Sequence, residues 1–258
     1  MSKFKQRLVQ FAVGGLIAAL MFATGVFAME SKGHAKNIIL VHGAWADGSC
    51  WSKVIPILEG KGFNVTAVQL PLTSLADDAA TVKRAITLED GPVLLVGHSY
   101  GGAVITEAGT DPKVEGLVYV AAFAPDAGQS AGYLLSTVPP APIAPEFRPD
   151  ANGFVKMTRK GMFNDFAQDL SETEKLTMFV TQAPTSDKSL GGNVTTPAWK
   201  TKPSWYIVAA NDRAIPPALE ATLAKKIDAR KTITLAASHV AMLAQPDKVA
   251  ALIMEAAH

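Results

Sequence analysis

Six short apolar runs, separated by longer amphipathic stretches, constrain the fold of this chain more than any other feature. The runs cover residues 38–41, 65–69, 93–96, 117–121, 205–209 and 232–235. Their nearly continuous Val, Ile and Leu content is typical of buried strands in a parallel sheet that is covered on both faces. Strand–helix alternation with right-handed crossovers predicts an α/β fold, a doubly wound and mainly parallel six-stranded sheet with helices on both faces.

Capping residues and prolines mark the helix starts between these runs. Ser74 followed by Asp77 predicts a capped helix that reaches about residue 86. The proline pair at 216–217 suits the first turn of a helix to about residue 227, and Pro246 opens a last helix to about residue 257. In doubly wound sheets ligands bind beyond the carboxyl ends of the strands, so we expect the chemistry in the loops that follow them.

One long segment, residues 123–202, interrupts the alternation. Five prolines fall within residues 139–149, and Ser171 with Glu174 makes a capping box for a helix to about residue 182. We expect a core over 37–122 and 203–258 and a helical cap over 123–202, because so long an insertion after a strand is usually functional. The alternative is a surface excursion that only shields the edge of the sheet.

The first 28 residues form a separate segment with the layout of a signal peptide. Lys3, Lys5 and Arg7 make a basic start, and residues 11–28 are uncharged and end on small residues. We expect cleavage near Ala28 and export of the mature chain to the periplasm or beyond, with no membrane partner. The alternative is an uncleaved N-terminal anchor, because the apolar run approaches the length of a membrane span.

Composition excludes several classes of function. The single cysteine, Cys50, excludes an intramolecular disulfide, a Cys-x-x-Cys redox pair and a multi-cysteine metal site. The formal net charge is +1 and there is no basic run, so the sequence predicts no positively charged surface that would bind nucleic acid. No Gly-x-Gly-x-x-Gly follows a predicted strand and no P-loop lysine occurs, so no dinucleotide or nucleotide is expected. The oligomeric state stays open.

The stretch Gly97-His98-Ser99-Tyr100-Gly101 carries the chemistry. It is a Gly-x-Ser-x-Gly motif between a predicted strand and a helix start, a context that places Ser99 on a tight turn with its hydroxyl exposed above the sheet. Side chains at Gly97 and Gly101 would clash with the neighbouring strand and helix. The alternative is an ordinary serine in a glycine-rich turn.

A serine nucleophile needs a base and an acid that orients the base. His239 follows the last predicted strand, and Asp212 follows the strand before it, which is the chain order Ser–Asp–His. Asp126, after the fourth strand, is a rival acid. We interpret His42 and His98 as structural supports, because neither follows the last strand.

An oxyanion needs two hydrogen-bond donors. The backbone N–H of Tyr100, directly after the serine, is one candidate, and that of Ala44, in the loop after the first strand, is the other. Aromatic residues near these loops are candidates to line the substrate pocket: Trp45, Trp51, Tyr100, Phe123 and Tyr133. A plain core position is at least as good an interpretation for Trp51.

The motifs at 41–45, 97–102, 211–216 and 238–243 together resemble the α/β-hydrolase superfamily, and most of all its small esterase and hydroxynitrile-lyase branch, which includes plant methyl-ester esterases. The resemblance spans about residues 37–257, more loosely over the insertion. It implies a Ser99–His239–Asp212 triad, an oxyanion hole from the Ala44 and Tyr100 amides and a helical cap. It implies no cofactor and no metal.

The sequence departs from the lyases of that branch at two positions. They carry a threonine where this chain has Gly43 and a lysine where it has Val240, and that lysine accommodates cyanide. We therefore expect an exported serine hydrolase whose partner is a small ester molecule. The alternatives are a C–C bond hydrolase or lyase on the same scaffold and a small-molecule-binding protein with residual hydrolysis.

Overall fold

The computed structural model describes residues 35–258, and a parallel β-sheet forms their centre. The strands within these residues are β1 (Asn37–Val41), β2 (Asn64–Ala67), β3 (Val93–His98), β4 (Val114–Val120), β5 (Phe147–Pro149), β6 (Phe154–Met157), β7 (Thr185–Ser186), β8 (Ser204–Ala209) and β9 (Lys231–Leu235). Six of them form the central sheet in the order β2-β1-β3-β4-β8-β9, with every neighbouring pair parallel. The predicted signal peptide, residues 1–28, lies outside the described residues.

All six predicted strands are present in this sheet, so the predicted fold class is confirmed. The four central strands are buried, as their apolar runs predict. The prediction of burial is wrong for the two edge strands: Val65 of β2 is only half-buried and Thr232 of β9 is exposed. An edge strand has one neighbour, so less of its surface is covered by the rest of the sheet.

Helices cover both faces of the sheet, because β2 lies on one side of β1 and β3 on the other, and right-handed crossovers in opposite directions leave their helices on opposite faces. They are α1 (Ile55–Glu59), α2 (Leu75–Leu88), α3 (Tyr100–Ala108), α4 (Ala131–Ser136), α5 (Arg159–Gly161), α6 (Glu172–Thr181), α7 (Asp187–Gly191), α8 (Pro217–Lys226), α9 (Ala241–Ala244) and α10 (Pro246–Ala256). The three core helices predicted from sequence correspond to α2, α8 and α10. Within residues 35–258 no helix is both long enough and apolar enough to cross a bilayer.

The segment between β4 and β8 has its own architecture. It contains α4 to α7 and a small antiparallel sheet in the order β5-β6-β7. Helix α6 begins with the predicted capping box of Ser171 and Glu174. The expectation of a purely helical cap misses the small sheet, because its strands are two to four residues long and carry no alternating pattern that sequence analysis detects.

Candidate active site

The carboxyl ends of four parallel strands bring the predicted site residues to one edge of the central sheet. Ser99 follows β3, Asp212 follows β8, His239 follows β9, and the loop with Ala44 follows β1. Ser99, His239 and Ala44 line the same cavity, which has a volume of about 620 Å³. The structure thus places the candidate nucleophile and the candidate base on one surface.

Ser99 lies on a strained turn between β3 and α3. Its backbone φ of 54° and ψ of −123° fall in a region that residues with a side chain rarely adopt. A Cβ on Gly97 would lie 2.6 Å from the carbonyl oxygen of Gly101, and a Cβ on Gly101 would lie 2.6 Å from that of Val41. Glycine at both positions lets the chain turn sharply and hold the serine at the mouth of the cavity.

Asp212 and His239 form a buried hydrogen-bonded pair. The imidazole Nδ1 lies 2.5 Å from Oδ2 of Asp212, and both residues are nearly inaccessible to solvent. The other carboxylate oxygen accepts the backbone N–H groups of Ala214 and Ile215 at 2.7 and 2.8 Å. These bonds fix the carboxylate where it can accept a hydrogen bond from Nδ1, an arrangement that would leave Nε2 free to act as a base.

The rival acid, Asp126, is engaged elsewhere. Its carboxylate lies 2.5 Å from Nζ of Lys200, and both side chains are partly exposed. The hydrogen bond from Lys200 lowers the pKa of Asp126. The structure brings Asp212, and not Asp126, to His239.

His42 and His98 act as neutral supports for the loops of the site. The ring of His42 accepts the N–H of Leu70 at 2.9 Å and donates to the carbonyl of Gly43 at 2.8 Å. His98 donates through Nε2 to the carbonyl oxygen of His239 at 2.9 Å. Burial lowers the pKa of both rings, and the neighbouring charge of His239 adds to the effect at His98.

The two candidate oxyanion donors border Ser99. Tyr100 is the first residue of α3, where backbone N–H groups have no partner within the helix. The loop of Ala44 packs against the serine so closely that a Cβ on Gly43 would lie 2.6 Å from the Cβ of Ser99. The backbone N–H of the next residue, Trp45, donates to Oγ1 of Thr185 at 3.1 Å. It is therefore not a candidate oxyanion donor.

The cavity wall is apolar and comes mostly from the cap. Its lining residues are Ala44, Trp45, Ser99, Phe123, Leu135, Ser136, Val138, Pro139, Pro140, Ala141, Ile143, Ala144, Phe147, Val155, Phe166, Leu190, Ala214, Ile215 and His239. None of these described residues is Lys, Arg, Asp or Glu. An uncharged, apolar ligand fits such a wall best.

The aromatic residues predicted to line the pocket have different positions. Trp45 and Phe123 line the cavity. Tyr133 does not: its side chain on α4 is 51% exposed and lies outside the cavity. The phenol of Tyr100 also points elsewhere and donates to Asp78 at 2.6 Å, and Trp51 is a fully buried core residue.

A cap segment that sequence analysis misses holds both loops of the Asp–His pair. In this clamp segment, residues 165–169, Asp165 pairs with Arg213 at 2.7 Å and Gln168 donates to the carbonyl of Asn211 at 2.7 Å. Asp169 accepts the N–H of Ser238 at 2.7 Å. Each contact is to a neighbour of Asp212 or His239. No motif marks these residues, because they act through single side chains from an irregular turn.

The described residues show no cluster with the composition of a metal site. Across 35–258, no three His, Cys, Asp or Glu side chains come close enough to hold an ion together. Cys50 is a buried thiol, and burial raises its pKa well above the usual range. A free cysteine in such a position behaves as a small apolar residue.

Comparison with known proteins relates this chain to a family of enzymes. The model of the alpha/beta hydrolase family matches residues 38–252. Methylesterase 7 of Arabidopsis thaliana is 28% identical, over 88% of this chain and 98% of its own length. Salicylic acid-binding protein 2 of Nicotiana tabacum is 28% identical, over 86% of this chain and 97% of its own. The expected resemblance to the plant methylesterase branch is confirmed.

A solved structure shares the whole architecture. The crystal structure of polyneuridine aldehyde esterase superimposes with a TM-score of 0.76 and 22% sequence identity, over 86% of this chain and 98% of that one. At this level of identity the likeness shows that the fold is the same.

Proposed function

Because this chain belongs to the alpha/beta hydrolase family, we propose that it is a serine hydrolase that cleaves small carboxylic esters. One observation carries the proposal: a serine on a strained turn and a buried His–Asp pair border one apolar cavity. The names of relatives such as Methylesterase 7 support ester hydrolysis.

In the proposed mechanism, Oγ of Ser99 attacks the ester carbonyl while Nε2 of His239 takes the hydroxyl proton. Asp212 holds the imidazole in the required tautomer and stabilises its charged form. The imidazolium then gives its proton to the departing alkoxide, which leaves as an alcohol. A water molecule, deprotonated by the same imidazole, cleaves the acyl-enzyme, and the acid and the free serine are released.

The tetrahedral intermediate places a negative charge on the former carbonyl oxygen. We assign its stabilisation to the backbone N–H groups of Ala44 and Tyr100, which flank the serine. Fixed backbone donors need no reorganisation when the charge develops, and each is worth on the order of 100-fold to 1000-fold in rate. The two donors directly follow strands of the core sheet, Ala44 in the loop after β1 and Tyr100 at the start of α3.

The cavity wall supports a neutral, apolar ester as the substrate. None of its described lining residues offers a cation to a substrate carboxylate. Burial of an unpaired carboxylate in such a wall would be costly. Its volume of about 620 Å³ leaves room for an acyl or alcohol group larger than acetyl.

The test combines covalent labelling with turnover. A fluorophosphonate probe should label the wild type at Ser99, located by mass spectrometry, and p-nitrophenyl acetate and butyrate should be hydrolysed. Ser99→Ala should remain unlabelled and lose several orders of magnitude in kcat, since the nucleophile is gone. Ser136→Ala, which removes the other serine of the cavity wall, should still be labelled at Ser99 and still turn over ester.

Other outcomes would replace the proposal. Equal turnover by wild type and Ser99→Ala would refute a serine mechanism. Tight ligand binding with negligible hydrolysis would identify a binding protein, and products of C–C cleavage would identify a lyase or C–C hydrolase on the same scaffold. Val240, buried and apolar directly after His239, gives no support to the lyase.

A further inference from the structure

A second buried carboxyl group lies behind the Asp–His pair. Glu220, on the first turns of α8, has no exposed surface. Its Oε2 accepts the backbone N–H of Ala209 at 2.9 Å, at the end of the strand that leads to Asp212. The Asp212 carboxylate is the neighbouring charged group that acts on this side chain. Two carboxyl groups therefore meet where the proposed mechanism needs one negative charge.

The second oxygen of Glu220, Oε1, is fully buried and has no donor to accept from. A buried, ionised carboxylate with an oxygen in this state would be strongly disfavoured. A proton on this carboxyl group removes the difficulty, because the group then becomes a donor and the neighbouring Asp212 carboxylate can accept from it. Two adjacent carboxyl groups commonly share one proton in this way.

The surrounding hydrogen bonds decide which of the two carries the proton. Asp212 accepts two backbone N–H groups and the imidazole N–H, all of which favour the charged form. Glu220 accepts one backbone N–H, and burial followed by the charge of Asp212 raises its pKa well above the usual range. The proton therefore lies on Glu220.

In the part of the chain that the structure describes, no positively charged side chain faces Glu220 to stabilise its ionised form. The titratable groups that face Glu220 are Asp212 and, on β8, Tyr206, with His239 beyond Asp212. The Tyr206 phenol donates to the carbonyl of Ala122, and burial raises its pKa, so it stays neutral. Lys226, on the same helix as Glu220, lies over the ring of Trp199 instead.

We propose that Glu220 is a neutral carboxylic acid that donates a hydrogen bond to Asp212 and so positions the acid of the triad. It is a positioning residue, because it acts on the imidazole only through Asp212. The donated bond fixes the rotamer of Asp212 and spreads part of its charge, as outer-shell partners do for other catalytic ligands. This role rests on the proposed function, but the protonation of Glu220 does not.

Infrared spectroscopy tests the protonation without any substrate. At about pH 7, the wild type should show the carbonyl stretch of a protonated carboxylic acid, and E220Q should lose it. Asp78 is another buried carboxyl group whose burial raises its pKa, so D78N serves as the matched control. A band lost in E220Q but kept in D78N supports the proposal, and a spectrum that E220Q does not change overturns it.

Kinetics test the positioning role. In E220Q the amide can accept from Ala209 and donate to Asp212, so it should restore most of the activity that E220L loses. E220L should lower kcat on the order of 10-fold to 100-fold, with little change in KM. The acidic limb of the kcat/KM profile should stay in place in E220Q, because no charge is removed. A limb that moves to lower pH by about one unit or more would show that Glu220 is ionised.

The two experiments separate failure of this inference from failure of the proposed function. Wild type that hydrolyses no ester would refute the esterase, yet the infrared band would still report the proton on Glu220. An active enzyme without that band would refute the inference alone. E220Q keeps the shape of the side chain and so gives a result even where E220L fails to fold.

Discussion

The core and the cap of this protein are built from different kinds of element. The core, residues 37–122 and 203–258, consists of six parallel strands and helices of up to fourteen residues, with a continuous apolar interior. The cap, residues 123–202, consists of short helices and a three-stranded sheet with strands of two to four residues. The core supplies Ser99, Asp212 and His239, whereas the cap supplies most of the cavity wall.

The cap also supports the residues of the site that the core supplies. The clamp segment, residues 165–169, belongs to the cap but holds the loops that carry the acid and the base through Arg213, Asn211 and Ser238. Phe166 also packs its ring edge-on against His239, with 4.8 Å between centroids. The cap is therefore part of the support of the site as well as its wall, and a rearrangement of the cap would disturb the His–Asp geometry.

The largest expected effect separates two aspartates, one from each region. Asp212→Asn should lower kcat about 10,000-fold, because the amide favours the wrong tautomer of His239. Asp126→Asn, at the partly exposed cap position beside Lys200, should change kcat by less than about threefold. Steady-state kinetics with p-nitrophenyl butyrate measure both.

Folding must be intact in both variants for the comparison to hold. Circular dichroism and the melting temperature provide this check. A large loss of kcat in Asp126→Asn together with an active Asp212→Asn would reverse the assignment of the acid. It would also place essential chemistry in the cap.

The core follows closely from the sequence because its signals are local and repeated. A run such as that at 93–96 is apolar throughout, which is typical of a strand buried on both faces of a parallel sheet. Ser99 and its flanking glycines predict a sharp strand-to-helix turn, and the chain order of Asp212 and His239 fits the same pattern. In the structure this run lies in β3, which extends to His98.

The cap and the second carboxyl group could not be found in this way. Strands as short as β7 carry no periodicity, and the clamp segment acts through contacts with residues 40 to 70 positions away in the chain. Glu220 occupies a helix position where an exposed glutamate would look the same in sequence. Only the packing shows that it is buried against Asp212.

A middle-sized effect tests the cap as the wall of the cavity. Ala141→Phe adds a phenyl ring at a half-buried position of the wall, so it should exclude bulky esters more than small ones. The ratio of kcat/KM for p-nitrophenyl benzoate to that for the acetate should fall about 10-fold or more, as expected when an apolar pocket loses volume.

The control for this variant lies on the same cap but outside the cavity. Ala127 is exposed, and Ala127→Phe should leave the ratio of the two esters within about twofold of wild type. If the benzoate-to-acetate ratio falls equally in Ala141→Phe and Ala127→Phe, the acyl group does not bind in this cavity. An unchanged ratio in Ala141→Phe would lead to the same conclusion.

The smallest expected effect concerns an ion pair that joins the two regions. Glu174 on cap helix α6 lies 2.6 Å from Nζ of Lys53 in the core. The hydrogen bonds from Lys53 and then Ser171 hold the pKa of Glu174 at about 2, below its usual 4.5. Because the folded-state pKa is lowered, the stabilisation is fully present above about pH 4.5 and is lost as the pH falls towards about 2.

Glu174→Gln keeps the capping box but removes the charge, so it isolates the ion pair. Both side chains are about a third exposed or more, and solvent screening therefore limits the loss to about 1 kcal/mol in the free energy of unfolding at neutral pH. Urea unfolding at about pH 7 and about pH 3 should show the difference from wild type shrinking at the lower pH. Glu172→Gln, whose partner Lys175 lies on the same helix, should show a smaller change at either pH. If the two variants lose the same stability, the cap is held to the core by its apolar contacts and the clamp segment, and the pair between Lys53 and Glu174 adds nothing to them.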